Sequence, residues 1–206
     1  MSWADLFEGA AGFEVSVDEI RETVARGRKQ REANGESGTS PDASGESTDE
    51  PRESSPARVV ADADVLAADL LVGGPAREAL DGVRVHSWVR LVASDPLLDD
   101  AEATVADLAT ERLAADWRER TEADRDRVDH PPDDHPALAS AYRGGAMHVL
   151  SFDGDLRSAG TGAAIRAHVE TSVKHPQAFA RLFDPGSLYE AVEGGTYPGP
   201  DRDPRV

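Results

Sequence analysis

Short apolar runs alternate with segments of helical periodicity between residues 58 and 183, and this alternation limits the fold of the chain more than any other feature. The run at 59–61 is followed by apolar residues at helical spacing, and a second clear run lies at 147–152. Strands separated by helices form parallel sheets that helices cover on both faces. The pattern therefore predicts an α/β fold of three layers, α/β/α, with a central and mostly parallel sheet.

The chain outside this region differs from it in composition. Ser16 and Glu19 have the spacing of a capping box, and Val17, Ile20 and Val24 then recur at helical spacing. The stretch from 33 to 57 has no Leu, Ile, Val, Met or aromatic residue, so it cannot form a core. We predict a helical arm over 1–32, a disordered linker over 33–57, the folded domain over 58–192 and an irregular tail over 193–206. The arm is too short for a core of its own, and we expect it to dock on the domain or on a partner protein.

The net charge of the chain indicates the solvent in which the protein works more than it indicates a binding partner. There are 40 Asp and Glu residues against 22 Lys and Arg, a formal net charge of -18, and the only lysines are Lys29 and Lys174. Dense carboxylates keep a protein hydrated in concentrated salt, where the Debye length falls to about 3 Å. The composition is typical of halophilic proteins. Because salt screens the net charge of the chain, only groups in contact with a ligand affect its binding. The net charge therefore argues neither against RNA binding nor for it.

Several classes of protein are excluded by what the sequence lacks. Cysteine is absent, which rules out disulfides, zinc–thiolate sites and thiol nucleophiles. No apolar run approaches the roughly 20 residues of a membrane span. The N-terminus has neither the basic start nor the apolar core of a signal peptide. We therefore expect a cytoplasmic protein with no membrane partner.

Four separated acidic residues are the candidate functional groups. Asp62 and Asp153 each end an apolar run, Asp100 lies early in a predicted helix, and Asp134 precedes another. Reactive groups in open α/β sheets gather beyond the carboxyl ends of the strands. Carboxylates that meet there repel one another unless a cation lies between them, and oxygen ligands suit Mg²⁺ or Mn²⁺. The pattern predicts a divalent metal site for phosphate chemistry.

The same acids stand in blocks that resemble the PIN domain family of metal-dependent nucleases. The blocks are VVADADVL at 59–66, SDPLLDDA at 94–101, DHPALASA at 134–141 followed by GGA at 144–146, and VLSFDGDL at 149–156. Two positions depart from the family pattern, since Asp64 stands where Asn is usual and Ser151 where Thr is usual. The resemblance covers roughly residues 58–183 and implies a PIN-like fold.

The resemblance also implies an activity and a site. The activity is hydrolysis of RNA by a metal-dependent endoribonuclease, with one or two Mg²⁺ or Mn²⁺ ions as cofactor. The implied catalytic and metal-binding residues are Asp62, Asp100, Asp134 and Asp153, with Asp155 as a further ligand and with Asp64 and Ser151 orienting the ligands. Asp99 and Glu102 remain alternatives to Asp100, and Asp133 remains an alternative to Asp134.

Other interpretations stay open beside this one. One alternative is a catalytically inactive PIN-like module that binds RNA, or that binds a protein through residues 1–32, and a homodimer is a further alternative. The Asp62-Ala63-Asp64 sequence after a strand also resembles the nucleophile motif of haloacid dehalogenase-type phosphotransferases. In the structural interpretation, Asp62 is a helix cap and Asp153 caps a turn. The cations at 26–31 suit either a helix C-terminus or RNA phosphates, and His130 and His135 are interpreted as loop surface groups.

Overall fold

The computed structural model describes residues 1–34, 52–130, 134–158 and 171–206. The helices are α1 (Trp3–Ala10), α2 (Val17–Asn34), α3 (Ala63–Leu71), α4 (Gly74–Arg84), α5 (Asp95–Leu108), α6 (Glu111–Asp124), α7 (Pro136–Gly144), α8 (Pro176–Leu182) and α9 (Pro185–Val192). The strands are β1 (Ser55–Ala61), β2 (Arg90–Ser94), β3 (Asp126–Val128), β4 (Ala146–Leu150) and β5 (Ser172–Lys174). None of the helices in these ranges is both long and apolar enough to cross a membrane. Most of the predicted linker, residues 35–51, and the alternative ligand Asp133 lie outside the described residues.

The five strands form one parallel sheet in the order β3-β2-β1-β4-β5. Val59 of β1 is paired with Leu91 of β2 on one side and with His148 of β4 on the other. The carboxyl half of β1 is apolar, and its Val59, Val60 and Ala61 are fully buried, as a central strand of a parallel sheet requires. Helices cover the sheet in a three-layer α/β/α arrangement, so the predicted fold class is confirmed.

The helices begin where the sequence places start signals, with one correction at α5. Ser16 and Glu19 form the predicted capping box, since the Glu19 N–H donates to Ser16 Oγ at 3.2 Å and the Ser16 N–H donates to Glu19 Oε2 at 2.9 Å. The Asp95-Pro96 dipeptide predicts a helix start with Asp95 as the cap, but the N-cap of α5 is Ser94 and Asp95 lies in the first turn. The Asp95 carboxylate pairs instead with Arg125, a buried guanidinium beside the sheet.

Strand β3 was not predicted, because its sequence looks like the end of a polar helix. The sequence over 109–127, which is polar but carries Leu113 and Trp117, predicts one helix, whereas α6 ends at Asp124. Of the three residues of β3 only Val128 is apolar, so there is no run for a periodicity argument to detect. The strand is positioned by tertiary contacts instead: its Asp126 carboxylate accepts from Arg90 of β2 at 2.5 Å.

The N-terminal arm docks on the folded domain and shares its core. Trp3, Leu6, Ile20 and Val24 are all buried within the same apolar cluster as the sheet. The Trp3 indole N–H also donates to Asp124 at 3.0 Å. Burial of such side chains stabilises docking by roughly 1.5–3 kcal/mol each, as an upper bound. Of the two docking modes that the sequence left open, the structure shows the intramolecular one.

The last residues, 193–206, contain no helix or strand but lie against the domain. The Tyr197 hydroxyl and His86 Nε2 are 2.6 Å apart, and the Ser87 N–H donates to Asp201 at 2.8 Å. Arg205 forms an ion pair of 2.6 Å with Asp81. The tail is irregular in backbone and held by specific side-chain contacts.

Candidate functional site

The site lies at the carboxyl edge of the parallel sheet. It is at the switch point, where the chain stops adding strands on one side of β1 and begins to add them on the other side. From β1 the chain adds β2 and β3 on one side and then returns to place β4 and β5 on the other. At such a switch point the loops that leave the two neighbouring strands diverge, and the crevice between them is where open α/β sheets bind ligands. Asp62 follows β1 and Ser151 follows β4, and the Asp62 N–H donates to the Leu150 carbonyl at 2.8 Å.

Two carboxylates share one hydroxyl at this edge. Asp62 is the N-cap of α3, and its Oδ1 accepts from the Ala63 N–H at 2.8 Å. Asp64 lies in the first turn of α3, and its Oδ2 accepts from the Phe152 N–H at 3.0 Å. Ser151 Oγ is 3.3 Å from Oδ2 of each carboxylate. The helix cap expected in the structural interpretation is therefore real, and it coexists with convergence of the acids.

The third carboxylate comes from α5. Asp100 is only 3% exposed. Its two sequence alternatives face outward, because Asp99 and Glu102 both pair with Arg118, at 2.7 and 3.5 Å. Asp100 is thus the acidic side chain of this helix that lies beside Asp62.

The cation among these acids is an arginine of the N-terminal arm. Arg28 of α2 donates from Nη2 to Asp62 and from Nε to Asp100, both at 2.6 Å. Arg31, one turn further along α2, pairs with the other oxygen of Asp100. A guanidinium with two short ion pairs to buried carboxylates is held by charge-assisted hydrogen bonds.

Sequence reasoning missed this role of the two arginines, although a signal was present. Ile20 and Val24 mark the buried face of α2. Arg28 follows Val24 by four residues and Arg31 follows Arg28 by three, so both arginines continue that face of the helix. Arginines that extend an apolar stripe are candidates for insertion into the domain. The cations at 26–31 were interpreted only as helix-end charges or phosphate contacts.

His135 was also expected on the surface and is instead part of the site. Its Nε2 lies 2.9 Å from Arg28 Nη1 and 4.0 Å from Asp62 Oδ2. Burial lowers the pKa of His135, although the nearby Asp62 and Asp153 charges oppose the shift. The ring is therefore neutral near pH 7, and because arginine has only donors, Nε2 acts as the acceptor.

The pKa values of the two aspartates at α3 move in opposite directions. Burial opposes ionisation of Asp62, but Arg28 and His135 hold its pKa below the ordinary value. Burial and the charge of Asp62 raise the pKa of Asp64 to about 8. Near pH 7 Asp62 is ionised while Asp64 carries a proton. Oδ1 of Asp64 is buried, and among the described residues no group hydrogen-bonds to it.

The remaining predicted residues lie at the rim or away from the cluster. Asp153 is half-buried, and its charge acts on His135. Asp155 is exposed, and its N–H donates to Asp153 Oδ1 at 2.9 Å. Asp134 is exposed, and in the described part of the chain no ion pair or hydrogen bond joins it to Asp62 or Asp100. Asp134 was predicted to share the site because it precedes α7, but the side chain at that N-cap which turns inward is His135.

The chemistry of the acids fits a divalent cation better than their present arrangement does. Asp62, Asp64 and Asp100 supply the hard oxygen ligands that Mg²⁺ and Mn²⁺ prefer, and Oδ1 of Asp64 is buried without a hydrogen-bond partner among the described residues. As described over 1–34, 52–130, 134–158 and 171–206, however, no three acidic or histidine side chains are grouped to hold a metal. Arg28 stands between Asp62 and Asp100 and takes the place that such an ion needs.

A family model matches residues 53–205, well over half of the chain, and its description is a family of unknown function, DUF7384. The chain belongs to DUF7384. No curated protein and no solved structure matches it. The DUF7384 match includes Asp62, Asp64 and Asp100 but not α1 or α2, which carry the two arginines.

Membership of DUF7384 corrects the resemblance to the PIN domain family, which is wrong. The blocks that suggested it consist of an acid ending an apolar run or an acid near a helix start. Any parallel α/β sheet places such residues at its carboxyl edge, where they cap helices and bind ligands. The acidic blocks therefore indicate a parallel α/β sheet, and they do not indicate membership of the PIN domain family.

Proposed function

We propose that this protein is a divalent-metal-dependent hydrolase of phosphodiesters, with RNA as substrate, acting at Asp62, Asp64 and Asp100. The observation that carries the proposal is the convergence of three carboxylates, each at most 3% exposed, at the switch point of a parallel sheet. The second observation is independent of the first: Oδ1 of Asp64 is buried without a hydrogen-bond partner among the described residues.

Each residue has a defined part in this proposal. Asp62, Asp64 and Asp100 would hold Mg²⁺ or Mn²⁺, which when bound polarises a phosphodiester oxygen and eases ionisation of the attacking water. Ser151 and the Phe152 N–H fix the rotamers of Asp62 and Asp64. With Arg28 displaced from it, Nε2 of neutral His135 would accept the proton that the attacking water loses, while the leaving oxygen would be protonated from solvent.

The substrate class is inferred from ligand chemistry. Carboxylate-bound Mg²⁺ and Mn²⁺ mostly serve phosphate chemistry in proteins. RNA, action in the cytoplasm and any homodimer remain parts of the proposal. The assay therefore compares RNA, single-stranded DNA and a small phosphodiester, so that it identifies the class directly.

The test uses two neighbouring aspartates of α5 as a matched pair. In the full chain, Asp100→Asn is expected to abolish Mn²⁺-dependent cleavage, because it removes a carboxylate of the cluster. Asp99→Asn is the control, since Asp99 is exposed and pairs with Arg118 at 2.7 Å. Equal cleavage by the two variants would reject the assignment of the site.

A second candidate function is a binding module without catalysis. It is favoured by one observation, the neutralisation of Asp62 and Asp100 by Arg28 and Arg31. In that case the acids are a fixed ion-pair network that fastens α2 to the domain. Calorimetry with Mn²⁺ separates the two functions, because a fixed network binds no metal at Asp100.

The phosphotransferase alternative has less support. The haloacid dehalogenase-type family that this motif resembles also uses a lysine beside its two aspartates. Nζ of Lys174 lies instead 3.2 Å from Nδ1 of His148. No acyl-phosphate intermediate on Asp62 is therefore part of the proposal.

A further inference from the structure

The two halves of α2 are attached to the domain by different forces. In the first half, Ile20, Thr23 and Val24 are buried, and the helix packs into the common core. Beyond residue 25 no side chain of α2 is fully buried. The second half reaches the domain through charged groups, Arg28 and Arg31 in the crevice and Arg26 on exposed Asp107 at 3.0 Å.

A glycine lies at the junction of these halves. Gly27 is in the interior of α2, and a Cβ built there would meet no atom within 4 Å. No close packing therefore requires glycine at this position. Glycine in a helix interior is about 1 kcal/mol less favourable than alanine, so the helix is weakest directly before Arg28. The second half can unwind from Gly27 onward while α1 and the first half stay docked.

Arg28 and a divalent cation cannot occupy the crevice together. The guanidinium nitrogens already lie 2.6 Å from Asp62 and from Asp100. A bound Mg²⁺ needs carboxylate oxygens at about 2.0–2.1 Å and excludes a positive group from the same oxygens. Metal binding is then coupled to departure of the arginines, and the apparent affinity is reduced by the fraction of molecules that are open.

We propose that Arg28 and Arg31 form an autoinhibitory plug, which the second half of α2 inserts into the carboxylate site and which a divalent cation displaces. This inference rests on the proposed function, since it regulates that same site. The plug stands in for the metal: it neutralises Asp62 and Asp100 while the site is closed, and it keeps substrate phosphate out of the crevice.

The experiment measures Mn²⁺ binding by calorimetry on the full chain and on variants with opposite expected effects. Arg28→Gln/Arg31→Gln removes the plug and is expected to bind Mn²⁺ at least about tenfold more tightly than the unmodified chain. Gly27→Ala strengthens the helix before Arg28 and is expected to weaken binding about two- to fivefold. The charge-matched control is Arg21→Gln/Lys29→Gln, whose side chains are exposed on the same helix, and it should leave the affinity unchanged.

The outcomes separate the plug from the metal site. Equal Mn²⁺ affinity in the unmodified chain, the plug variant and Gly27→Ala, with binding lost in Asp100→Asn, would overturn the plug and leave the proposed function standing. Absence of Mn²⁺ binding in a plug variant that circular dichroism shows to be folded would overturn both. If the plug variant does not fold, Gly27→Ala decides alone, because it touches no neighbouring atom. In hydrogen exchange, Mn²⁺ should expose the amides of 28–34 and leave those of 20–24 protected.

Discussion

Replacing Arg28 by glutamine should destabilise the protein far more than an ordinary surface substitution. Arg28 donates to two carboxylates whose side chains are 2% and 3% exposed, Asp62 and Asp100. The variant leaves these negative charges buried beside each other with one of their cations gone. Removing one partner of a buried ion pair costs about 3–5 kcal/mol, because the remaining charge is neither paired nor hydrated.

The structure places the expected loss at the lower end of that range. Asp100 keeps its pair with Arg31, and Asp62 keeps the hydrogen bond from the Ala63 N–H. The Arg28 side chain is itself 20% exposed, so water reaches part of the site. We therefore expect Arg28→Gln to lower the free energy of unfolding by about 3 kcal/mol near pH 7.

Urea unfolding followed by far-UV circular dichroism, in concentrated KCl, measures this loss. Arg26→Gln is the control on the same helix, since its pair with Asp107 is more than 60% exposed on both sides, and it should cost at most about 0.5 kcal/mol. The double variant Arg28→Gln/Asp62→Asn should recover part of the loss, because it removes one of the stranded charges. A loss for Arg28→Gln below about 1 kcal/mol, or no larger than that of the control, would refute the reasoning.

Two further predictions concern packing and pH. Gly144→Ala should lower the free energy of unfolding by about 1–3 kcal/mol, because the added Cβ would overlap Cγ1 of Val92 and lie 3.3 Å from the Cβ of Val92. Gly27→Ala should raise it by about 0.5–1 kcal/mol, because a Cβ at Gly27 meets no atom within 4 Å. Thermal unfolding measures both changes. Burial and the nearby Lys174 lower the pKa of His148 to about 4 from an ordinary 6.5. As the pH falls, His148 is therefore protonated in the unfolded chain before it is protonated in the folded protein. The contribution of neutral His148 to the free energy of unfolding is complete above pH 6.5 and is lost as the pH falls toward 4. Relative to His148→Gln, the parent should lose up to about 3 kcal/mol across that window in urea unfolding, and parallel pH profiles would contradict this.

Part of the candidate site could be predicted because it depends on local patterns. Asp62 ends the apolar run of β1, so its place at the sheet edge follows from the run itself. Asp100 could be placed on α5, but its choice over Asp99 depends on the rotation of that helix against its neighbours. Asp134 shows the limit of such reasoning: it precedes α7 as expected, and yet His135 is the side chain that turns into the site.

By itself, the sequence determined the layered α/β architecture and the accumulation of acids at one edge of the sheet. Both follow from periodicity, because alternating strands and helices force a parallel sheet and strand ends lie together. Only the tertiary structure decided what neutralises those acids. Arg28 reaches Asp62 across 34 positions and Asp100 across 72, and such contacts depend on how α2 packs against α3 and α5. Packing of that kind is a property of the whole folded chain, and local spacing does not encode it.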